Sequence, residues 1–444
     1  MNAIETYREI LRRDLVRARE SVPTLQARLR ALRAQYGGRD LVRVLRPKLL
    51  GEGDYAELEY VCGVLYGVAR RLAARVMADP ALMDFVGLTE GERRLLAPEP
   101  LVPEAAPLTR WDSFLTADGP RFVELNAEAP AGAGYGDMIT EAFLEHPVVQ
   151  EFRARTGAYA VPTRDALLKD LLVGWRSAGK TSKPRILITD YLDVSTVNEF
   201  MILRDHFRSR GFACVVEDPR KLEYRDGKLW ACGESYDLVY RRVLVNEFLD
   251  REKEVRALFD AYRDRAVVMV NPFRCKLLHK KVSFALLTGD GPDGDAWLTA
   301  EERRVVAKHV PWTRKVREAK TTYGGKTVDL VPFLREHRAR FAVKPSDDYG
   351  GRGVVLGWTA DAAAFDAALA EGLRGEWVAQ ERVPAQEEPY PVFDRGLEEV
   401  PMVVDLDPYV SFGRVRGVLA RLAVGQISNV TSGGGQVPVL VVPE

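Results

Sequence analysis

The sequence predicts a mixed α/β (α+β) fold made of several units, and three observations predict it. Apolar residues fall at helical spacing between 4 and 77, apolar and polar residues alternate between 108 and 126, and buried strands alternate with helices between 185 and 271. With 444 residues, 46% hydrophobic and 29% charged, the chain is long enough for roughly two to four domains around real cores. The 64 Lys+Arg balance 64 Asp+Glu, which argues against a surface built to neutralise nucleic-acid phosphates. Cys62, Cys214, Cys232 and Cys275 form no CxxC pair, so neither a disulfide framework nor a thiolate zinc site is expected. No stretch approaches the ~18 apolar residues of a membrane helix, and MNAIETYREILRRDL lacks the apolar region of a signal peptide. The expectation is a soluble cytoplasmic protein with reduced thiols, and with neither nucleic acid nor membrane as partner.

In chain order, a helix is expected from Ile4 to about Tyr36, stopped by Gly37-Gly38, and a second from Tyr55 to about Met77, stopped by Pro80. Residues 1–107 are thus a helical region whose arginines read as a solvated face. TRWDSFLTADGPRFVELN predicts a β-hairpin turning at Asp118-Gly119, and helix follows over Arg164–Ser177, within a 108–180 segment. After the linker TSKPR come strand RILITD, a helix over Val197–Arg210 stopped by Gly211, strand FACVVED, a small hairpin at Asp226-Gly227, strand DLVYRRVL, a helix over 247–263 and strand AVVMVN. That order makes 181–271 a small, mainly parallel sheet covered by helices on both faces. The remaining segments, 272–340 and 341–444, mix strands and helices less regularly.

The chemistry-bearing residues come in three sets. In FAVKPSDDYGGRGVVLG a strand delivers Lys344 beside Gly350, Gly351 and Gly353, so one ammonium and several N–H groups can surround phosphate oxygens; the competing reading is an ordinary Gly-rich hairpin. WVAQERV (377–383) can offer an adenine main-chain hydrogen bonds and apolar contact, with a carboxylate near the ribose; the competing reading is an edge strand. Glu124 and Asn126 share a strand face that the hairpin brings beside Asp112, an oxygen set suited to Mg²⁺, while Arg110 can meet a transferring phosphoryl group; the competing reading is a solvated strand face.

Arg110-Trp111-Asp112, Glu124-Leu125-Asn126, NPFRCKLLHKKVSFALL, FAVKPSDDYGGRGVVLG and WVAQERV, in this order, resemble the circularly permuted branch of the ATP-grasp superfamily, which holds glutathionylspermidine synthase-like and related carboxylate–amine ligases. The resemblance covers about residues 108–444. It implies an ATP-grasp fold with permuted strand order, and a Rossmann-like pre-ATP-grasp domain in RILITD…YRRVL where Arg241 and Arg242 can reach an anionic acceptor. It also implies ATP held by Lys281 (or Lys280), by Lys344 under the Gly350–Gly353 loop, and by Gln380, Glu381 and Val383. Mg²⁺ is implied on Asp112, Glu124 and Asn126, and transition-state stabilisation by Arg110. Arg421 is implied as a phosphate contact, and Asn429 with Gly433–Gly435 as a substrate or phosphate loop. The TGDGPDGDAWLTAEERRVVAKH segment makes the spacing of Lys281 and Lys344 longer than in many such chains, and amide hydrolysis is not carried over.

The activity so implied is an ATP- and Mg²⁺-dependent ligase joining a carboxylate to an amine through an acyl phosphate, chemistry that needs positioning and charge neutralisation rather than a protein nucleophile. A nucleotide-binding assembly protein with a degenerate site and a small-molecule kinase are the competing classes. Tyr135, Asp137, Asp347 and Asp348 are candidates for the acceptor pocket.

Overall fold

Asp14 decides how the chain begins. The computed structural model describes residues 2–348, 350–424 and 435–444. The expected helix from Ile4 to Tyr36 is there two helices, α1 (Ala3–Arg13) and α2 (Leu15–Ala31). Asp14 leaves helical geometry and its carboxylate accepts the Arg17 N–H at 3.1 Å, capping α2. Gly37 and Gly38 do not cap a helix. Both take positive φ and turn a two-residue hairpin between Gln35–Tyr36 and Arg39–Asp40. The second run is α3 (Glu52–Ala78), and Pro80, expected only as a stop, is the first residue of a further helix, Pro80–Val86, capped by Asp79.

The expected hairpin forms as β1 (Leu108–Thr116) and β2 (Gly119–Asn126), followed by α4 (Ala133–Glu145) and α5 (Thr163–Ser177). Next come β3 (Ile186–Thr189), α6 (Val197–Ser209), β4 (Cys214–Glu217) and β5 (Leu238–Arg241). The helix expected over 247–263 divides into α7 (Val245–Asp250) and α8 (Arg256–Arg263), ahead of β6 (Val268–Val270). These four strands form one parallel sheet in the order β6-β5-β3-β4. Alternate residues feed opposite layers: Ile186, Ile188 and Val268 pack with Leu171 and Phe200 of α5 and α6, whereas Leu187, Val239 and Met269 pack with Phe248 and Leu258 of α7 and α8.

The last part adds α9 (Val282–Leu287), β7 (Thr313–Lys315), β8 (Phe341–Pro345), β9 (Val355–Leu356), α10 (Ala362–Gly372), β10 (Trp377–Glu381), β11 (Glu399–Ser411), β12 (Arg414–Ala423) and β13 (Gly435–Val437). One antiparallel sheet runs β7-β10-β8-β9, so the Trp377–Val383 segment is an interior strand and not the edge strand of the competing reading. The other runs β13-β12-β11-β1-β2, joining residues 108–126 to 399–437. Trp111, Phe122 and Leu125 on its back pack against α3 through the same core as Leu58, Leu65 and Leu72.

A bulge sets which residues face forward. Asp112 pairs with Glu124 but the next residue, Ser113, pairs with Phe122, so Val123 is the extra residue. The bulge lets Phe122 enter the core while Glu124, two positions on, lies with Arg110, Asp112 and Asn126 on the opposite face.

Candidate functional site

A cavity of about 900 Å³ is lined by residues of the two antiparallel sheets and of the segments that follow β3 and β5 at the end of the parallel sheet. Of the residues expected from sequence, Arg110, Asp112, Glu124, Asn126, Lys344, Gly350, Gly351, Gln380, Glu381, Val383 and Arg421 line it. Lys281 and Gly353 are not among the lining residues, although Lys281 Nζ lies 3.8 Å from Glu124, which is. Asn429, Gly433 and Gly434 lie outside the described residues, and Gly435 is the first residue of β13.

Charge on the hairpin is organised by two arginines. Arg110 holds Asp112 bidentately, Nε to Oδ1 at 2.7 Å and Nη2 to Oδ2 at 2.9 Å. Arg421 Nη2 reaches the same Asp112 Oδ2 at 2.8 Å, Asp405 Oδ2 at 2.7 Å and Asp407 Oδ2 at 2.9 Å. Burial alone would raise the Asp112 carboxyl, but Arg110 and Arg421 outweigh it and hold it at about 2. Asp407, fully buried, is pushed well above the usual carboxylate range by that burial, against the pull of Arg421. Arg421, expected as a phosphate contact, lines the cavity wall and clamps three aspartates.

The oxygen set fits a divalent cation in part through Asp112 and more directly through its neighbours. Asp112 Oδ1 carries one guanidinium bond and so keeps a lone pair, whereas Oδ2 carries two. Glu124 has Lys281 Nζ 3.8 Å away and a side chain 24% exposed to the cavity. Asn126 lines the cavity with its amide beside the Asp112 carboxylate, so its Oδ1 completes the oxygen set that these strands can offer.

The lysines sort cleanly. Lys344 Nζ donates to Val123 O at 3.1 Å and Gln380 Oε1 at 2.8 Å, while Gln380 Nε2 donates to Thr313 Oγ1 at 3.0 Å. The Gln380 side chain is therefore engaged within the protein, and the Glu381 and Arg382 N–H groups are given to Trp312 O and Arg340 O, both at 2.8 Å, so Val383 is the first residue beyond this pairing. Lys281, N-terminal to α9, donates to Asp348 O at 2.5 Å beside Glu124. Lys280 turns away to Glu92 at 2.9 Å and Gly87 O at 3.0 Å, so of the two alternatives Lys281 is the one beside the cavity. Between β8 and β9, Gly350, Gly351 and Gly353 all take positive φ, and a Cβ on Gly353 would lie 2.7 Å from Pro345 Cγ. Asp347 ties that loop down through Lys276 at 2.6 Å.

Burial pulls the Lys344 ammonium down to about 8, with Lys281 adding to the effect and Glu124 opposing it. A triphosphate beside it reverses the balance. At about pH 9 binding of Mg-ATP is therefore expected to take up close to one proton, read by calorimetry in buffers of different ionisation enthalpy, and Lys344→Met is expected to abolish the uptake. Proton-neutral binding by the native chain would contradict this placement of Lys344.

Of the acceptor candidates, Tyr135 lines the cavity, whereas Asp137 caps α5 by accepting Thr163 N at 2.9 Å and Arg164 N at 2.8 Å. Arg241 is fully buried on Asn271 O and Cys275 Sγ, and Arg242 lines the cavity. Sequence reasoning missed Asp405, Asp190 and Glu247. The D-x-D of β11, two acids on one face of an apolar strand opposite Arg421, was a legible signal for Asp405 and Asp407; Asp190 carried none beyond its place at a strand end.

No protein-family model matches the chain. A Frankia casuarinae protein named "Putative glutamate–cysteine ligase 2-2" is 26% identical over 333 residues, a match that covers 70% of this chain and 36% of that protein's length. A glutathione synthetase-like effector from Globodera pallida superposes with a TM-score of 0.53 at 12% identity, covering 91% of each chain. A Methylobacillus flagellatus structure titled as a "Putative gamma-glutamylcysteine synthetase" gives a TM-score of 0.40 at 11% identity over 83% of this chain and 84% of its own. The fold is accordingly mixed α/β and ATP-grasp-like, and the chain is similar in sequence to a protein named as a glutamate–cysteine ligase. Among the described residues no helix is long and apolar enough to cross a membrane.

Proposed function

We propose that the chain is an ATP- and Mg²⁺-dependent carboxylate–amine ligase of permuted ATP-grasp organisation. One observation carries the reading: Lys344 and the Gly350–Gly351 turn line the same cavity as Arg110, Glu124 and Asn126, although 218 positions separate Asn126 from Lys344. A phosphate-binding face thus looks onto a cation-binding face. The similarity to a protein named as a glutamate–cysteine ligase supports the same class.

Lys344 and the loop N–H groups take the triphosphate, with Lys281 behind them. The end of this strand at Val383, beyond the paired residues of β10, takes the base, and Glu381 lies toward the ribose. Glu124, Asn126 and Asp112 Oδ1 would hold Mg²⁺, which when bound neutralises phosphate charge. Arg110, fixed by Asp112 and by Nη1 on Ala131 O at 2.8 Å, lines the cavity as a positioned cation for the charge that develops as a substrate carboxylate attacks the γ-phosphorus. No side-chain nucleophile is needed, and the buried Cys62, Cys214 and Cys275 stand outside the cavity lining.

The test is a trap. With Mg-ATP and pooled carboxylic acids, hydroxylamine is expected to intercept an acyl phosphate as a hydroxamate while ADP accumulates, and Glu124→Gln is expected to lose both products. ADP without hydroxamate would indicate a kinase making a phosphate ester. Tight Mg-ATP binding with neither product would indicate a binding protein.

A further inference from the structure

His279 lines the cavity, and the phosphoryl step does not use it. It ends the short helix Lys276–His279, directly before Lys280 and Lys281, and only 7% of it is exposed. His146, His206 and His309 each hold one ring nitrogen by a hydrogen-bond contact, with Ser21 Oγ, Asp165 Oδ1 and Pro120 O. His279 Nδ1, in contrast, is buried with no hydrogen-bond partner. An unpaired ring nitrogen in a residue at a cavity wall marks a place where a ligand completes the bonding.

The ring has charge behind it. A ring nitrogen of His279, a carboxylate oxygen of Glu128 and one of Asp347 lie within 4.8 Å of one another. Lys276 Nζ bridges the two acids, 3.0 Å from Glu128 Oε1 and 2.6 Å from Asp347 Oδ1, so an ammonium already serves them and the three do not make an open cation site. Glu128 Oε2 also accepts the Val245 N–H at 2.6 Å with Arg241 3.8 Å away, and Asp347 has Lys280 3.6 Å away. Burial, with Lys276 and Lys281 adding to it and Glu128 and Asp347 opposing it, pulls the imidazole below its usual range, so the ring rests neutral at neutral pH. A neutral imidazole near Lys281, backed by two carboxylates that favour its charged form, has the properties of a base. The phosphate charge of bound ligands adds to those carboxylates and strengthens the ring's hold on a proton at the stage when one is released.

We propose that His279 is the general base of the second half-reaction, taking a proton from the acceptor ammonium beside the acyl phosphate. The amine so freed forms the C–N bond at the acyl carbon, and the C–O bond to phosphate breaks with its electron pair on that oxygen. The next amine proton goes to the departing phosphate, and His279 returns its own to solvent as the products leave. The role rests on the ligase reading for the acyl phosphate and requires no particular acceptor.

The test pairs two amines of one size, hydroxylamine and methylamine, which bypass the shape of the acceptor pocket. Near neutral pH hydroxylamine is largely unprotonated and methylamine almost wholly protonated, so only the second needs a base. With Mg-ATP and pooled carboxylic acids, His279→Gln is expected to retain most hydroxamate formation and to lose N-methylamide formation by about 10²-fold or more. The deficit should shrink toward about pH 9, where solvent frees the amine. Hydroxamate made by the variant shows that it is folded, and His279→Asn, shorter and equally uncharged, repeats the measurement. Equal loss of both products in both variants would make His279 a phosphate or structural contact and overturn the proposal. Unchanged methylamide formation, or a native chain that makes hydroxamate but no methylamide, would overturn it as well. A native chain that makes no hydroxamate would remove the ligase reading, and the base with it.

Discussion

Arg421→Leu is expected to be the most destabilising single change near the cavity. It removes the cation that touches Asp112, Asp405 and Asp407 at once, leaving Arg110 as the remaining guanidinium on Asp112. Breaking a buried ion pair from one side costs about 3–5 kcal/mol, because the other charge stays buried without compensation. The pH dependence has a definite sign. Without Arg421 these buried carboxyls hold protons more tightly folded than unfolded, so the variant gains stability relative to the native chain as pH falls from neutral toward the ordinary carboxylate pKa of about 4. Denaturant unfolding at about pH 7 and about pH 5 reads this directly, and a deficit that does not shrink at the lower pH would refute it. Arg421→Leu combined with Asp405→Leu should recover part of the loss, since it removes one stranded charge with its partner.

Lys344→Met is expected to do the opposite: to leave stability intact and remove turnover. The ammonium is already disfavoured by burial, and an apolar side chain of similar length relieves that cost, which offsets the loss of the donors to Gln380 Oε1 and Val123 O. The unfolding midpoint without ligand should match or exceed the native value. Loss of a positioned charge on a transferring phosphoryl group costs about 10²–10³ in rate, and ADP formation should fall by at least that much. A variant that is unstable but turns over normally would make Lys344 a structural residue. The two substitutions thus separate two buried cations in one cavity, one that holds aspartates and one that waits for a ligand.

The elements were legible where a single physical rule acts over a short span. Alternation gave the 108–126 hairpin and its face, and alternating strands and helices gave the parallel sheet and its two covering layers. What could not be read was set by long-range contact. Asp14 as a cap needs only its neighbours, yet it competes with a helical pattern that continues on both sides. The interior position of Trp377–Glu381 depends on Thr313–Lys315, about sixty residues earlier and without a strong strand pattern of its own. For the site, the residue types of Arg110, Glu124 and Lys344 carried their chemistry in the sequence. The partners of Arg421 did not, because nothing local says which acids a buried guanidinium will meet.

The sheet that joins residues 108–126 to 399–437 also dictates when this protein can first work. During synthesis the β1–β2 hairpin emerges early, exposing a row of unpaired backbone groups along β1 until β11 arrives almost three hundred residues later. The closing strand is later still: Val439–Val442 pairs in parallel with Lys48–Gly51. Pairings of such separation are slow to form and leave a partly folded chain open to aggregation. A nascent chain stopped before residue 399 would hold the parallel sheet and the lysine strand but no completed cavity, so ligand binding should appear only once β11 and β12 have been synthesised.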